Sequence, residues 1–295
     1  MKALLVTREY PPHIYGGAGV VADQLSRALA RRMAVEVRCF GPRDPRPDGI
    51  AVRGYTPWER LGGKDQRFVP SLETLSIGLA MARDAVDADV VHAHTWYADM
   101  GALWISTLYR IPLVVTLHSM EPLRPWKADQ LGSGYLLSSW IEKTAVEAAH
   151  RVIAVSHKMR EDILAHFRAD PARVVVIHNG IDPDQFRRTE ARDHLDRLGV
   201  RSPYVLFVGR ITDQKGIFDL LEAAPRLPAG VQVVLCASAP DTPEIEERLR
   251  RALPHHPNAV WINQMVPLEV VAELYSHAAV FCCPSVYEPD RKSVV

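Results

Sequence analysis

Short apolar, β-branched runs alternate with stretches of helical periodicity along almost the whole chain. That alternation predicts parallel sheets covered by helices, an α/β fold. In the first half, residues 3–7, 35–40, 90–94, 113–117, 152–155 and 174–177 read as strands, with helical patterns such as 20–31, 72–86 and 134–149 between them. The region 41–63, rich in proline, glycine and charge, is a loop-heavy excursion around a short strand near 51–55. A second cycle places strands at 204–208, 231–236, 259–262 and 280–283, and helices at 216–224, 244–253 and 268–276. Asn179-Gly180-Ile181-Asp182-Pro183 breaks the pattern, so the domains are read as 1–180 and 181–289. The second domain stops at its fourth strand, where a doubly wound domain usually has five or six, and is expected to be incomplete.

Composition narrows the classes. Hydrophobic residues make up 47% and charged residues 24% of the chain, as in a soluble globular protein. The formal net charge is zero, so no global field recruits nucleic acid or an anionic membrane. No apolar run approaches the roughly 18 residues needed to span a bilayer, and the run after Lys2 is too short for the core of a signal peptide. A cytoplasmic protein is expected. Cys39, Cys236, Cys282 and Cys283 show no C-x-x-C pair, and three of them lie in apolar, strand-like runs and read as buried free thiols.

Five features could carry chemistry. Gly16-Gly17, between the first strand and the first helix, would let backbone N–H groups approach an anion at a helix N-terminus, although alone it is equally a tight turn. The turn Gly209-Arg210-Ile211-Thr212-Asp213-Gln214-Lys215-Gly216 sets two cations at the entrance of a helix. A lysine there faces like-signed partial charge, and a bound diphosphate would resolve the conflict. The alternative is that Arg210 and Lys215 are solvated or pair with Asp213. His118 ends a strand at its carboxyl end, where ligands of open α/β sheets bind; taken singly it is a loop histidine satisfied by backbone. Nearby His92 and His94 lie two apart with no carboxylate or cysteine at ligand spacing, which sets a metal aside. Glu288, after the last strand, could accept hydrogen bonds from sugar hydroxyls, and alone is a loop glutamate. The Asp-x-Asp triplets at Asp87 and Asp182 read as capping or turn residues rather than a metal site.

Taken together in this order, the residues resemble retaining glycosyltransferases of family 4 and the related bacterial glycogen synthases. The matching pieces are Arg8-Glu9-Tyr10-Pro11-Pro12 with Gly16-Gly17, His118, Asn179-Gly180-Ile181-Asp182, Gly209-Arg210 with Lys215-Gly216, and Pro284-Ser285 with Glu288-Pro289. The runs His94-Thr95-Trp96-Tyr97 and 118–127 look most like the actinobacterial type, which includes α-maltose-1-phosphate synthases. The resemblance implies two facing Rossmann-like domains, the GT-B architecture. It implies α-linked glucose transfer with retention from a nucleotide sugar, ADP-glucose first, to glucose 1-phosphate or a glucan, without metal or other cofactor. By analogy Arg210 and Lys215 hold the donor diphosphate, Gly16, Gly17 and Gly209 let backbone close on it, His118 contacts the donor sugar and Glu288 its hydroxyls. Arg124 and Lys127 could meet a phosphorylated acceptor, the alternative being two solvated cations in a polar loop. Competing expectations are another donor or acceptor within the family, or a remnant that only binds ligand. A dinucleotide oxidoreductase would need an acid ending the second strand, which instead ends Cys39-Phe40-Gly41.

The pattern breaks after Pro289. Family members carry a second glutamate seven residues beyond the first, which holds the ribose. Here residues 290–295 match one reading frame of a common sequencing adapter and read as a non-native tail, the alternative being natural drift or a frameshift at a gene's end. Little or no activity and poor solubility are expected of a chain ending there.

Overall fold

The computed structural model describes residues 1–286 apart from 15, 44–48, 60–67, 126, 129–131, 239 and 241. The chain divides into two compact units, Met1–Gly180 and Ile181–Val295.

Unit 1 is built on seven strands: β1 (Lys2–Thr7), β2 (Ala34–Phe40), β3 (Ala51–Tyr55), β4 (Val90–His94), β5 (Leu113–Leu117), β6 (Arg151–Ala154) and β7 (Val174–Val176). They form one parallel sheet in the order β3-β2-β1-β4-β5-β6-β7. Helices α1 (Gly17–Ala30), α2 (Val69–Arg83), α3 (Trp96–Tyr109), α4 (Ser133–Ala148) and α5 (His157–His166) connect them. Both faces of the sheet are covered, which is why Leu4, Leu5 and Val6 are all buried rather than alternating with polar residues. Register aligns Thr7 with His94 and His94 with Thr116, so β1, β4 and β5 reach the carboxyl edge of the sheet together.

Two features set the helices against this sheet. Gly78 of α2 and Gly101 of α3 meet backbone to backbone; a Cβ on Gly101 would lie 2.9 Å from the Gly78 Cα. Arg38, fully buried in β2, donates to the carbonyls of Met81, Asp84 and Ala85 and to Glu36 Oε1. A cation there satisfies the orphan carbonyls at the end of α2.

Unit 2 holds β8 (Tyr204–Arg210), β9 (Gln232–Ser238), β10 (Ala259–Ile262) and β11 (Val280–Phe281), parallel in the order β10-β9-β8-β11. Its helices are α6 (Asp193–Arg197), α7 (Ile217–Ala223), α8 (Pro243–Ala252) and α9 (Leu268–His277). The strands bury alternate residues on opposite faces. Val205, Phe207, Val233 and Leu235 pack with Ile217, Leu220 and Leu249, whereas Tyr204, Leu206 and Val234 pack with Leu195, Val270 and Leu274.

The last strand is shorter than the apolar run 280–283 predicts, because Pro284 has no N–H to continue the ladder. The cysteine reading is corrected for the same region. Cys39 and Cys236 are buried, and burial pushes each thiol up to about 11. Cys282 and Cys283 are only half-buried, because β11 is an edge strand. Among the described residues, no helix is long and apolar enough to cross a membrane.

Candidate functional site

In open α/β sheets, ligands bind beyond the carboxyl ends of the strands where the strand order reverses. In unit 1 that point lies between β1 and β4, and in unit 2 between β8 and β11.

At the unit 1 switch point, the chain leaves β1 through Arg8, Glu9 and Tyr10. The Tyr10 hydroxyl is buried and lies 2.7 Å from Ser26 Oγ, which in turn donates to the Asp23 carbonyl; Tyr10 therefore donates and pins the loop to α1. Gly16 is the N-cap of α1, and its N–H donates to Glu9 Oε2 at 2.8 Å. The protein's own carboxylate thus meets one of the backbone donors that the glycine loop exposes at the helix start. Gly17 is open, with nothing within 4 Å of where a Cβ would stand. The Arg8 guanidinium lies 4.0 Å over the ring of Tyr97, which ties the end of β1 to the start of α3.

Between β4 and α3 sits Thr95, with φ +68° and ψ 154°, a backbone region essentially reserved for glycine. Its Oγ1, the Trp96 Nε1, the His94 Nε2 and both oxygens of Asp99 are buried without a hydrogen-bond partner among the described residues. Burial holds the Asp99 carboxyl well above the usual carboxylate range. His92 Nε2 lies 2.7 Å from Thr116 Oγ1, and burial pushes its pKa down to about 4. His94 Nδ1 lies 3.0 Å from Nε2 of His118, just beyond β5.

The loop after β5 is organised by Glu121, which is 1% exposed. Its carboxylate accepts from Lys127 Nζ at 2.9 Å and Ser138 Oγ at 2.7 Å, with Arg124 at 3.8 Å. Its carbonyl accepts from Tyr135, and its N–H donates to Glu142 Oε2 at 2.8 Å. Burial, then the charge of Glu121, holds Glu142 well above the carboxylate range. Burial, with Arg124 adding to it, lowers the Lys127 pKa. Arg124 and Lys127 are therefore held to one buried carboxylate, Lys127 the more tightly. Arg124 also reaches Ser119 Oγ at 3.4 Å.

In unit 2, Arg210 closes β8, and Thr212 caps a 3₁₀ turn over Asp213–Lys215 by accepting from the Lys215 N–H. Gly216 follows with φ +65°. Asp213 pairs with Arg248 at 3.0 Å. A Cβ on Gly209 would meet the Phe207 ring at 3.2 Å. The stretch after β11 packs on this turn: the Val286 N–H donates to the Gln214 carbonyl, and the Pro284 carbonyl lies against Gly216. Glu288 and the tail 290–295 lie outside the described residues.

Both Asp-x-Asp triplets have structural partners. Asp89 accepts from the Lys2 N–H at the amino end of β1, and Asp182 from the Asp184 N–H. Among the described residues, no group of three or more His, Cys, Asp or Glu could hold a metal ion. Glu9, His94, Asp99, Glu121 and Glu142 join the constellation only in three dimensions. No local sequence signal marks the burial of His94, Asp99, Glu121 and Glu142, although Glu9, His94 and Glu121 stand inside motifs the sequence singles out.

Two parallel, Rossmann-like α/β units, each with a glycine-bearing loop at its switch point, are the building blocks of the GT-B architecture. The glycosyltransferase family 4 model matches residues 15–185, and the model for glycosyl transferases group 1 matches 202–294. The α-maltose-1-phosphate synthase of Mycolicibacterium smegmatis is 47% identical over 98% of this chain and 75% of its own length. The glycogen synthase of Mycobacterium tuberculosis is 31% identical over 77% of this chain and 58% of its own. Anabaena HepE, solved in complex with UDP-glucose, superposes with a TM-score of 0.73 at 16% identity, covering 98% of this chain and 75% of that one. The chain belongs to glycosyltransferase family 4, and it is a hexosyltransferase that acts on nucleotide sugars.

Proposed function

We propose that the chain transfers glucose, with retention of configuration, from ADP-glucose to glucose 1-phosphate, forming maltose 1-phosphate. The observation that carries this reading is the 47% identity over 98% of the chain to a protein of that named activity, against 31% over 77% to a glycogen synthase.

In this reaction the bond from the donor's anomeric carbon to the diphosphate breaks, and the acceptor oxygen takes its place. Negative charge accumulates on the departing phosphate. Arg210 and Lys215 are assigned to that charge, and losing one such preorganised group typically costs about 10²–10³ in rate. Gly16, Gly17 and Gly209 are assigned to backbone contacts with the donor, His118 to the donor sugar near the reacting carbon, and Glu288 to the sugar hydroxyls. The leaving phosphate takes the acceptor's proton, so the reaction needs no protein base, and Arg210 and Lys215 supply the positive charge that a metal ion would otherwise bring to the diphosphate. Arg124, whose side chain is 18% exposed, is the first candidate for the acceptor phosphate; Lys127 serves with it by holding Glu121 in place.

The test crosses ADP-glucose and UDP-glucose with glucose 1-phosphate and glycogen, with and without EDTA, and assigns the product by NMR. An α-linked disaccharide phosphate, made fastest from ADP-glucose and unaffected by EDTA, is expected, and its rapid formation by residues 1–295 would overturn the expectation of little or no activity. Transfer to glycogen alone, or a β-linked product, would refute the assignment.

A further inference from the structure

His92 and His94 stand on one face of β4, two residues apart, with their ring centroids 4.4 Å from each other. Thr116 and His118 extend the same face across β5 and just past its end. His92 is anchored through Nε2 to Thr116 Oγ1, and its ring backs that of His94. The His94 and His118 rings are only 16° from parallel, with centroids 5.3 Å apart and Nδ1 3.0 Å from Nε2. At that separation, with nitrogen facing nitrogen, the contact is an in-plane hydrogen bond rather than a face-to-face stack.

Such a bond needs one donor and one acceptor. His94 is fully buried, and burial, reinforced by His92 and His118, holds its pKa well below the ordinary value. The ring is neutral and carries one proton. A proton on Nε2 would strand a buried N–H, because that nitrogen has no partner among the described residues. Stranding a buried donor carries its full desolvation penalty, and orphaned donors are rarer in proteins than under-used acceptors. A proton on Nδ1 strands only a lone pair.

We propose that His94 is a positioning residue for His118: its Nδ1–H donates to His118 Nε2, which fixes the plane of the His118 ring and leaves that ring's own proton on Nδ1. Whatever meets His118 on its side away from His94 then meets an N–H, not a lone pair. The chemistry this N–H suits is a sugar hydroxyl or ring oxygen acting as acceptor. The consequence for turnover rests on the assignment of His118 to the donor sugar; the tautomer does not.

The full chain, labelled with ¹⁵N-histidine, gives ring-nitrogen spectra at neutral pH, and the His118 signals are those lost in His118→Asn. A proton-bearing Nδ1 and a lone-pair Nε2 at His118 are expected; a proton-bearing Nε2 overturns the proposal. Two variants then test the positioning role after circular dichroism has shown both to be folded. His94→Asn keeps an amide N–H close to the place of Nδ1, and His94→Leu keeps apolar volume without a donor. His94→Leu is expected to lower kcat for transfer from ADP-glucose roughly 10- to 100-fold, since small misplacements of reacting groups have effects of that size. The KM for acceptor should hardly move, and His94→Asn should restore most of the loss. Leu outperforming Asn marks His94 as packing and overturns the positioning role. The expected tautomer together with wild-type turnover in both variants overturns the assignment of His118 to the donor sugar, and the positioning role with it.

Discussion

A Cβ on Gly216 would stand 2.2 Å from the carbonyl oxygen of Pro284, and Gly216 itself adopts φ +65°. The turn after β8 and the stretch after β11 can therefore lie together only while this position has no side chain. Gly216→Ala is expected to destabilise unit 2 by more than the roughly 1–2 kcal/mol of a left-handed backbone alone. Urea unfolding measures this, and a midpoint equal to wild type would show that the packing of the two loops is not tight.

Arg210→Ala should lower turnover by about 10²–10³ if the guanidinium meets charge that develops in the transition state. Calorimetric titration with ADP, run beside the kinetics, separates two roles. A parallel loss of affinity and of kcat identifies a contact to the diphosphate that tightens during the reaction. A loss of affinity with kcat unchanged identifies a binding contact alone.

Lys127 and Arg124 share Glu121 but should respond differently to removal. Lys127→Ala leaves the buried Glu121 carboxylate without its 2.9 Å partner, and breaking such a pair typically costs about 3–5 kcal/mol. Arg124 stands farther off, at 3.8 Å, with a more open side chain. Its alanine variant should keep most of the stability and raise KM for glucose 1-phosphate. Thermal melts and acceptor titrations of the two variants check the split; equal melting temperatures would reject it.

Asp99 predicts a pH dependence of stability. Its folded-state pKa lies above the unfolded value, because burial disfavours the charged form. The folded chain holds a proton that the unfolded chain releases. Its contribution is fully present in acid and falls away as pH rises from the unfolded value, about 3.9, towards the folded one. Asp99→Asn removes that dependence. The melting temperature of the variant should gain on wild type as pH rises above about 4, and a constant difference there would show that Asp99 is ionised in the folded chain.

Much of this was legible beforehand. Strands 51–55, 90–94, 113–117 and 259–262 fall where the sequence pattern predicts them, and the central strand Leu113–Leu117, covered on both faces, is apolar but for Thr116. The end of β11 was not legible from the apolar run, since Cys282-Cys283 continues it while Pro284 ends the hydrogen bonding. The glycine loop was legible as a place where backbone donors are exposed. That Glu9, seven residues earlier, meets the first of them was not, because the contact depends on how the chain turns after β1.

By itself the sequence determined the alternation of strand and helix, the glycines that two tight turns require, and the cations of the turn from Arg210 to Lys215. These are local properties, set by side-chain period and backbone freedom over a few residues. Only the tertiary structure decided which polar groups meet. His94 reaches His118, 24 residues away, because β4 and β5 pair in one register. Glu121 draws Lys127 and Ser138 to itself because α4 packs beside the loop that follows β5. Pro284 reaches Gly216 because β11 adds to the edge of β8. Sheet register and helix packing are long-range choices, made by the burial of many apolar side chains at once, and no single motif carries them.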